Sequence, residues 1–497
     1  MNRVVVVGAG VGGLVTALLL AARGVEVLVV ERAARPGGKV RETFVDGAGI
    51  DSGPTVLTMR WVFEDVFAAA GTSLAAEVGL RPLGILARHA WTDGSTLDLF
   101  ADVARSADAV AAFAGPAEAR RLLAFCARSR AVYRALEAPF LRAPRGSVVT
   151  LVRRSGWSGL PQLMRISPFV TLHRALCRSF RDPRLRQLFG RYATYCGSSP
   201  YAAPATLMLV AHVEQDGVWS VAGGMQRLAE ALARNAARLG VGFRYGEAVQ
   251  EIEADGARAT GVRLQSGERI AARAVVVNAD AQAVAGGLLG PAVAGAVPRT
   301  RPAARSLSAV TWALRARPAG LPLTRHNVFF SADYRSEFDD VFARASLPRT
   351  PTVYVCAQDR IDDEAAAGGG SERLLCLVNA PATGDRAAFD EQEIAACGKR
   401  AQETLAQCGL ALPLQTGAVV TTPVEFAQMF PGTGGALYGR ATHGWQASFA
   451  RPGSRTRIPR LYLAGGSTHP GPGVPMAALS GRLAATSVLE DLASTRP

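Results

Sequence analysis

Residues 4–7 are an unbroken run of valine, followed at once by a glycine cluster over positions 8–13. A short β-branched run bounded by glycine predicts a strand buried on both faces. Residues 14–22 are uncharged and rich in leucine and alanine, which predicts a helix, and a second β-branched run at 25–30 predicts a strand closing on Glu31. Farther along, residues 85–88 and 97–100 flank Asp93 and Gly94 and read as a hairpin. Leu228, Ala229, Leu232 and Ala236 recur at helical spacing, so 226–239 reads as an amphipathic helix closed by Gly240. Residues 241–253 alternate as one strand, 261–264 and 269–270 form a hairpin around Ser266 and Gly267, and 274–279 reads as a buried strand. Further strands are expected at 309–314, 352–356 and 374–378. Near the C-terminus a second strand, turn and helix follow at 461–463, 465–466 and 477–489.

The opening strand, turn, helix and strand carry the chemistry of a dinucleotide-binding unit. Gly8 permits the turn, Gly10 lets backbone approach a pyrophosphate, and Gly13 lets the helix lie close to the strand. Val11 and Gly12 complete the turn, where free N–H groups at the helix start face the anion. Glu31 is placed to accept hydrogen bonds from a ribose diol, in NAD and FAD alike. An ordinary glycine-rich turn, or a signal peptide or membrane span, is the competing reading, since residues 4–22 carry no charge. Four glycines within residues 8–13 and a β-branched strand just after Gly24 suit a span poorly. Residues 32–39, beginning at Arg32 and ending in Gly37, Gly38 and Lys39, form a loop that could hold a diphosphate from the opposite side. Gly53, Pro54 and Thr55 form a rigid turn suited to the close approach of a flat ring.

Length and charge narrow the class. At 497 residues the chain suggests two or three lobes, and 49% hydrophobic residues with 52 glycines describe a folded protein rich in turns. Seven scattered cysteines with no CxxC suggest buried thiols in a reducing compartment, with no zinc site. The formal charge of +14 is concentrated: residues 120–191 hold sixteen arginines against two acids, Glu137 and Asp182. These arginines alternate with large apolar residues over 148–157 and 163–169, a mixture that suits an anionic membrane surface; a solvated arginine-rich face is the alternative. Nucleic-acid motifs are missing from the segment. Residues 281–298 are uncharged but are mainly alanine and glycine with Pro291 inside, too weakly apolar to span a bilayer.

The glycine cluster, residues 31–39 and residues 51–58 together resemble the FAD-binding start of the flavin amine oxidase superfamily, in the branch of bacterial and fungal carotenoid desaturases. Residues 199–206 and 217–225 are similar to mid-chain motifs of that branch, and residues 461–476 to its C-terminal signature. The resemblance implies an α/β fold: a discontinuous Rossmann-like FAD-binding domain, a mixed-sheet substrate domain and a helical membrane-facing lobe. It implies FAD-binding pieces at 1–84, 216–285 and 455–497, substrate-domain pieces at 85–119 and 286–454, and the arginine-rich lobe at 120–215. It further implies backbone contact between Val249 and the adenine end. Gly465 and Gly466 would meet the diphosphate and ribityl chain, with Ser467 or backbone N–H groups standing in for an acid that many relatives carry near Gly466. Val474, Pro475 and Met476 would form a turn at the flavin ring.

Residues 54–60 and 466–476 look most like hydroxycarotenoid 3,4-desaturases, with phytoene desaturases and carotenoid isomerases as alternatives on the same scaffold. The resemblance implies an acyclic carotenoid substrate, an anionic membrane surface as partner, and oxygen or a quinone as electron acceptor. It places the protein in the cytoplasm, peripheral to the inner membrane. Flavin is then the hydride acceptor, His469 the nearest candidate for a proton role, and His212 and Glu214 weaker ones. Amine or porphyrinogen oxidation competes, but amine oxidases commonly place a lysine near the flavin, and this chain has only Lys39 and Lys399. A non-enzymatic lipid or nucleic-acid binder is the third class.

Overall fold

The computed structural model describes residues 3–144, 169–256, 258–362 and 370–494. Residues 148–157, with Arg153 and Arg154, and most of 163–169 lie outside them.

Five strands form one parallel sheet in the order Leu461–Leu463, Ala274–Val277, Val4–Val7, Val27–Glu31, Gly242–Tyr245. Parallel strands are covered on both faces, and Val4, Val5 and Val6 are fully buried. Three stretches far apart in the chain therefore supply one sheet, as the resemblance implies. Its first helix, Val11–Ala21, packs against Gln226–Arg238 and against the C-terminal helix Val474–Ser494. Thr16 Oγ1 ties two of these helices by donating to Gly12 O (2.7 Å) and Gly481 O (3.0 Å).

Several boundaries differ from the sequence expectation. The first helix begins at Val11 rather than at 14: Gly12 and Gly13 lie in its first turn despite their poor helix propensity, where packing leaves no room for a side chain and a Cβ on Gly13 would collide with Gly8 O. The second strand starts at Val27 rather than at 25. Residues 241–253 are two strands, not one. Gly242–Tyr245 joins the parallel sheet, whereas Val249–Ala254 pairs with Ala259–Leu264 in a separate three-stranded sheet. The chain turns between them at Gly246, which has φ +72° and donates its N–H to Ala33 O (3.0 Å). Val474, Pro475 and Met476 open the last helix instead of forming a turn, with Pro475 at a position where its missing N–H costs nothing.

The second large sheet has seven strands, in the order Val419–Thr421, Ser308–Ala316, Glu372–Ala380, Val353–Ala357, His326–Phe330, Ile85–Trp91, Thr96–Phe100. All neighbours are antiparallel except His326–Phe330 beside Ile85–Trp91. Strand alternation divides its faces. Leu374, Cys376 and Val378 pack with Cys397, Ala401 and Leu405 of helix Glu391–Gln407, while Leu375, Leu377 and Asn379 face a cavity. Helices Pro116–Leu136, Leu172–Ser179, Pro183–Gly190 and Leu209–Gln215 build the arginine-rich lobe around Phe125, Phe180 and Phe189, whose ring centroids lie 4.7–5.2 Å apart. One of its arginines, Arg191, turns inward and is buried.

Among the described residues no helix is long and apolar enough to cross a membrane, and no cluster of His, Cys, Asp and Glu could hold a metal. All seven cysteines are free.

Candidate active site

Two cavities meet inside the molecule. The first, about 480 Å³, runs along the C-terminal ends of the parallel strands, where open α/β sheets bind ligands. Gly8, Gly10, Val11 and Gly12 line it from the first turn, and Glu31, Arg32, Gly38 and Lys39 from the second strand and its loop. Val249 lines it too, two residues after Glu247, whose N–H donates to Glu31 O (3.0 Å). Gly465, Gly466, Ser467 and Val474 close it from the C-terminal segment. Gly13 stands behind the wall.

The second cavity, about 520 Å³, is lined mainly by apolar side chains from the seven-stranded sheet and the helical lobe. Gly53, Pro54, Leu377, Tyr438, Gly473 and Val474 line both cavities and mark their junction. Thr55, Pro475 and Met476 lie just beyond it, on the apolar side. The proposed ring-binding turn thus sits where a dinucleotide chamber opens onto an apolar one.

The first cavity suits FAD in its polar atoms. Glu31, 8% exposed, accepts hydrogen bonds from Ala9 N–H (2.6 Å) and Ala33 N–H (2.8 Å), which fixes its carboxylate at the wall. Arg41 Nη2, Asn278 Oδ1 and Asp280 Oδ2 are buried and have no partner among the described residues. All three residues line the cavity. A diphosphate would satisfy the arginine and ribityl hydroxyls the two oxygens. Asp280 supplies an acid next to Ser467, whose Oγ accepts Ala281 N–H (3.0 Å), on the side where Gly466 has none. Lys39 Nζ donates to Leu437 O (2.6 Å) and stands over the Phe430 ring; burial holds its pKa below the ordinary lysine value. Arg32 donates to the Gln428 and Met429 carbonyls.

Arg41, Asn278 and Asp280 escaped the sequence reading. Asn278 follows a strand, and a polar residue at that edge is the signal that could have found it.

In the apolar cavity Tyr354 Oη is held by Thr55 Oγ1 (2.8 Å) and His326 Nδ1 (2.7 Å). Glu214 is its one carboxylate among the described residues, and accepts from Tyr192 Oη (2.5 Å). His469 lines neither cavity. Its Nε2 lies 2.9 Å from Phe140 O, its ring packs edge-on against Phe140 at 4.8 Å, and burial lowers its pKa to about 4. His212 packs against Tyr133 (5.0 Å) and also lines neither. The two lysines are likewise missing from the apolar cavity.

Comparison with known proteins agrees with this geometry. The chain is 56% identical to hydroxyneurosporene desaturase of Rubrivivax gelatinosus, covering 99% of this chain and 94% of that protein. It is 46% identical to hydroxyneurosporene desaturase of Cereibacter sphaeroides, covering 99% and 98%. Among solved structures, putrescine oxidase bound to putrescine superposes with a TM-score of 0.60 at 15% identity, covering 98% and 99%, a likeness of fold alone. The model of the flavin containing amine oxidoreductase family matches residues 11–489, and this chain belongs to that family.

Proposed function

We propose that the protein is an FAD-dependent carotenoid desaturase that introduces the 3,4 double bond into a 1-hydroxycarotenoid such as hydroxyneurosporene. The observation that carries this reading is the junction at Gly53, Pro54, Gly473 and Val474, where a long apolar chamber meets the dinucleotide cavity. The names of the relatives supply the substrate class.

When bound, FAD supplies the two-electron acceptor for the hydride, to be reoxidised by oxygen or a quinone. The chain's own part is to bind and orient. Leu207, Val210, Val213, Val328 and Leu377 hold the polyene and exclude water. Tyr354, fixed by Thr55 and His326, stands next to Leu377 at the junction and sets how far the chain can slide. Loss of hydride from an allylic carbon leaves a delocalised cation whose neighbouring C–H is acidic, so a weak base suffices to take that proton, and Glu214, the one carboxylate among the described residues of the chamber, is the candidate acceptor. His469 braces the loop before the junction through Phe140.

The substrate comes from an anionic membrane surface. Phe169 is 68% exposed and Trp445 37%, their rings are 5.3 Å apart, and both line the apolar cavity, which marks its mouth. Amine oxidation suits the chamber less well, since neither lysine reaches it.

Anaerobic mixing of the holoenzyme with hydroxyneurosporene in liposomes tests the reading. Bleaching of the flavin with a red shift of the polyene supports it; unchanged flavin absorbance refutes it.

A further inference from the structure

Besides Thr352 Oγ1, two buried polar atoms on residues lining the apolar cavity have no partner among the described residues: Arg191 Nε and Tyr334 Oη. The residues are 7% and 8% exposed. Gly190, the residue before Arg191, lies against Tyr334, where a Cβ on it would stand 3.6 Å from Tyr334 Cε1, and the Arg191 charge acts on the Tyr334 hydroxyl. Arg191 is stacked over the Tyr195 ring (4.9 Å) and Tyr334 lies edge-on to Phe330 (5.8 Å) and Phe338 (5.0 Å), so neither is free to swing out to solvent. Beside them Asn379 lines the same wall and is tied to Glu337 Oε1 through its Nδ2 (2.7 Å). Elsewhere the cavity is mostly hydrocarbon.

Desolvated donors without partners are costly, and are retained where a ligand satisfies them. A guanidinium can only donate, so the ligand atom must accept; a tyrosine hydroxyl can donate to the same atom. An oxygen with two lone pairs meets both. Resting on the desaturase reading above, the substrate offers one such atom, the oxygen on the hydrated end group. We propose that Arg191 and Tyr334 receive that oxygen, and so select a hydroxylated end over a plain hydrocarbon end and set which bond reaches the junction. A hydrocarbon end would leave both donors unpaired, a difference that discriminates far better than shape.

Tyr334→Phe tests this cleanly, because it removes an unpaired buried hydroxyl and therefore should not lower the melting temperature. Arg191→Lys, which keeps the charge beside Glu214, is the second variant. Dissociation constants for hydroxyneurosporene and neurosporene are read from quenching of tryptophan fluorescence, and kcat/KM from polyene absorbance. The preference for the hydroxylated substrate should fall on the order of ten-fold in Tyr334→Phe, mainly through the hydroxylated compound. Folded variants with unchanged preference overturn the assignment alone. Wild-type protein that oxidises neither compound overturns the desaturase reading itself.

Discussion

Gly12, in the first helix, and Gly465, in the loop after the last strand of the parallel sheet, pack backbone against backbone: a Cβ at Gly12 would stand 2.8 Å from Gly465 N. The two ends of the chain close the dinucleotide cavity together, and the closure has no room for a methyl group. Gly12→Ala is therefore expected to destabilise the protein by about 1–3 kcal/mol and to lower the flavin-to-protein ratio after gel filtration. A variant with wild-type melting temperature and flavin content would contradict this close approach.

Glu31 has more to do than meet a ribose. Its two oxygens each hold a backbone N–H, from Ala9 and Ala33. Glu31→Ala leaves both donors without that partner, so the apoprotein should lose about 1–3 kcal/mol along with its hold on flavin. Glu31→Gln, which keeps one acceptor, should fall between. Calorimetry of the flavin-free proteins separates the two roles; equal apoprotein stability in wild type and Glu31→Ala would remove the structural one.

The opening βαβ unit was legible because its signals are local: valines for the strand, glycines for the turn, an acid at the end. The hairpin around Asp93 and Gly94 was legible for the same reason. The split at Gly246 was not, since alternation continues on both sides of it and only the change of sheet shows that the strand has ended. The helix start at Val11 was hidden by glycines whose poor propensity is offset by packing. Tyr354, Arg191 and Tyr334 carry no motif at all. They come together through long-range strand order and the inward turn of one arginine in a segment that reads, by composition, as surface.

His469 gives a pH signature of its own. Burial lowers its pKa from 6.5 to about 4, so on acidification the unfolded chain takes up the proton first. Its contribution is fully present above pH ~6.5 and is lost as pH falls toward 4. Between pH 7 and pH 5 wild type should lose about 2 kcal/mol that His469→Gln does not, measured by urea unfolding of both proteins. His89 and His443 titrate with the same sign, so only the difference between the two proteins reports on His469. Equal losses would contradict a buried neutral imidazole.

At the mouth, Phe169→Glu should weaken sedimentation with anionic liposomes while leaving flavin bound. Reversing Arg153 and Arg154 to Glu should weaken it further, by about 1 kcal/mol for each cation removed, and the effect should fade at high salt. Binding that ignores both changes would contradict the membrane reading.

The central claim is tested most directly by offering the holoenzyme hydroxyneurosporene, neurosporene and phytoene separately and following each polyene spectrum. The account predicts a red-shifted product from hydroxyneurosporene, with little change in the other two. Conversion of phytoene alone would contradict it.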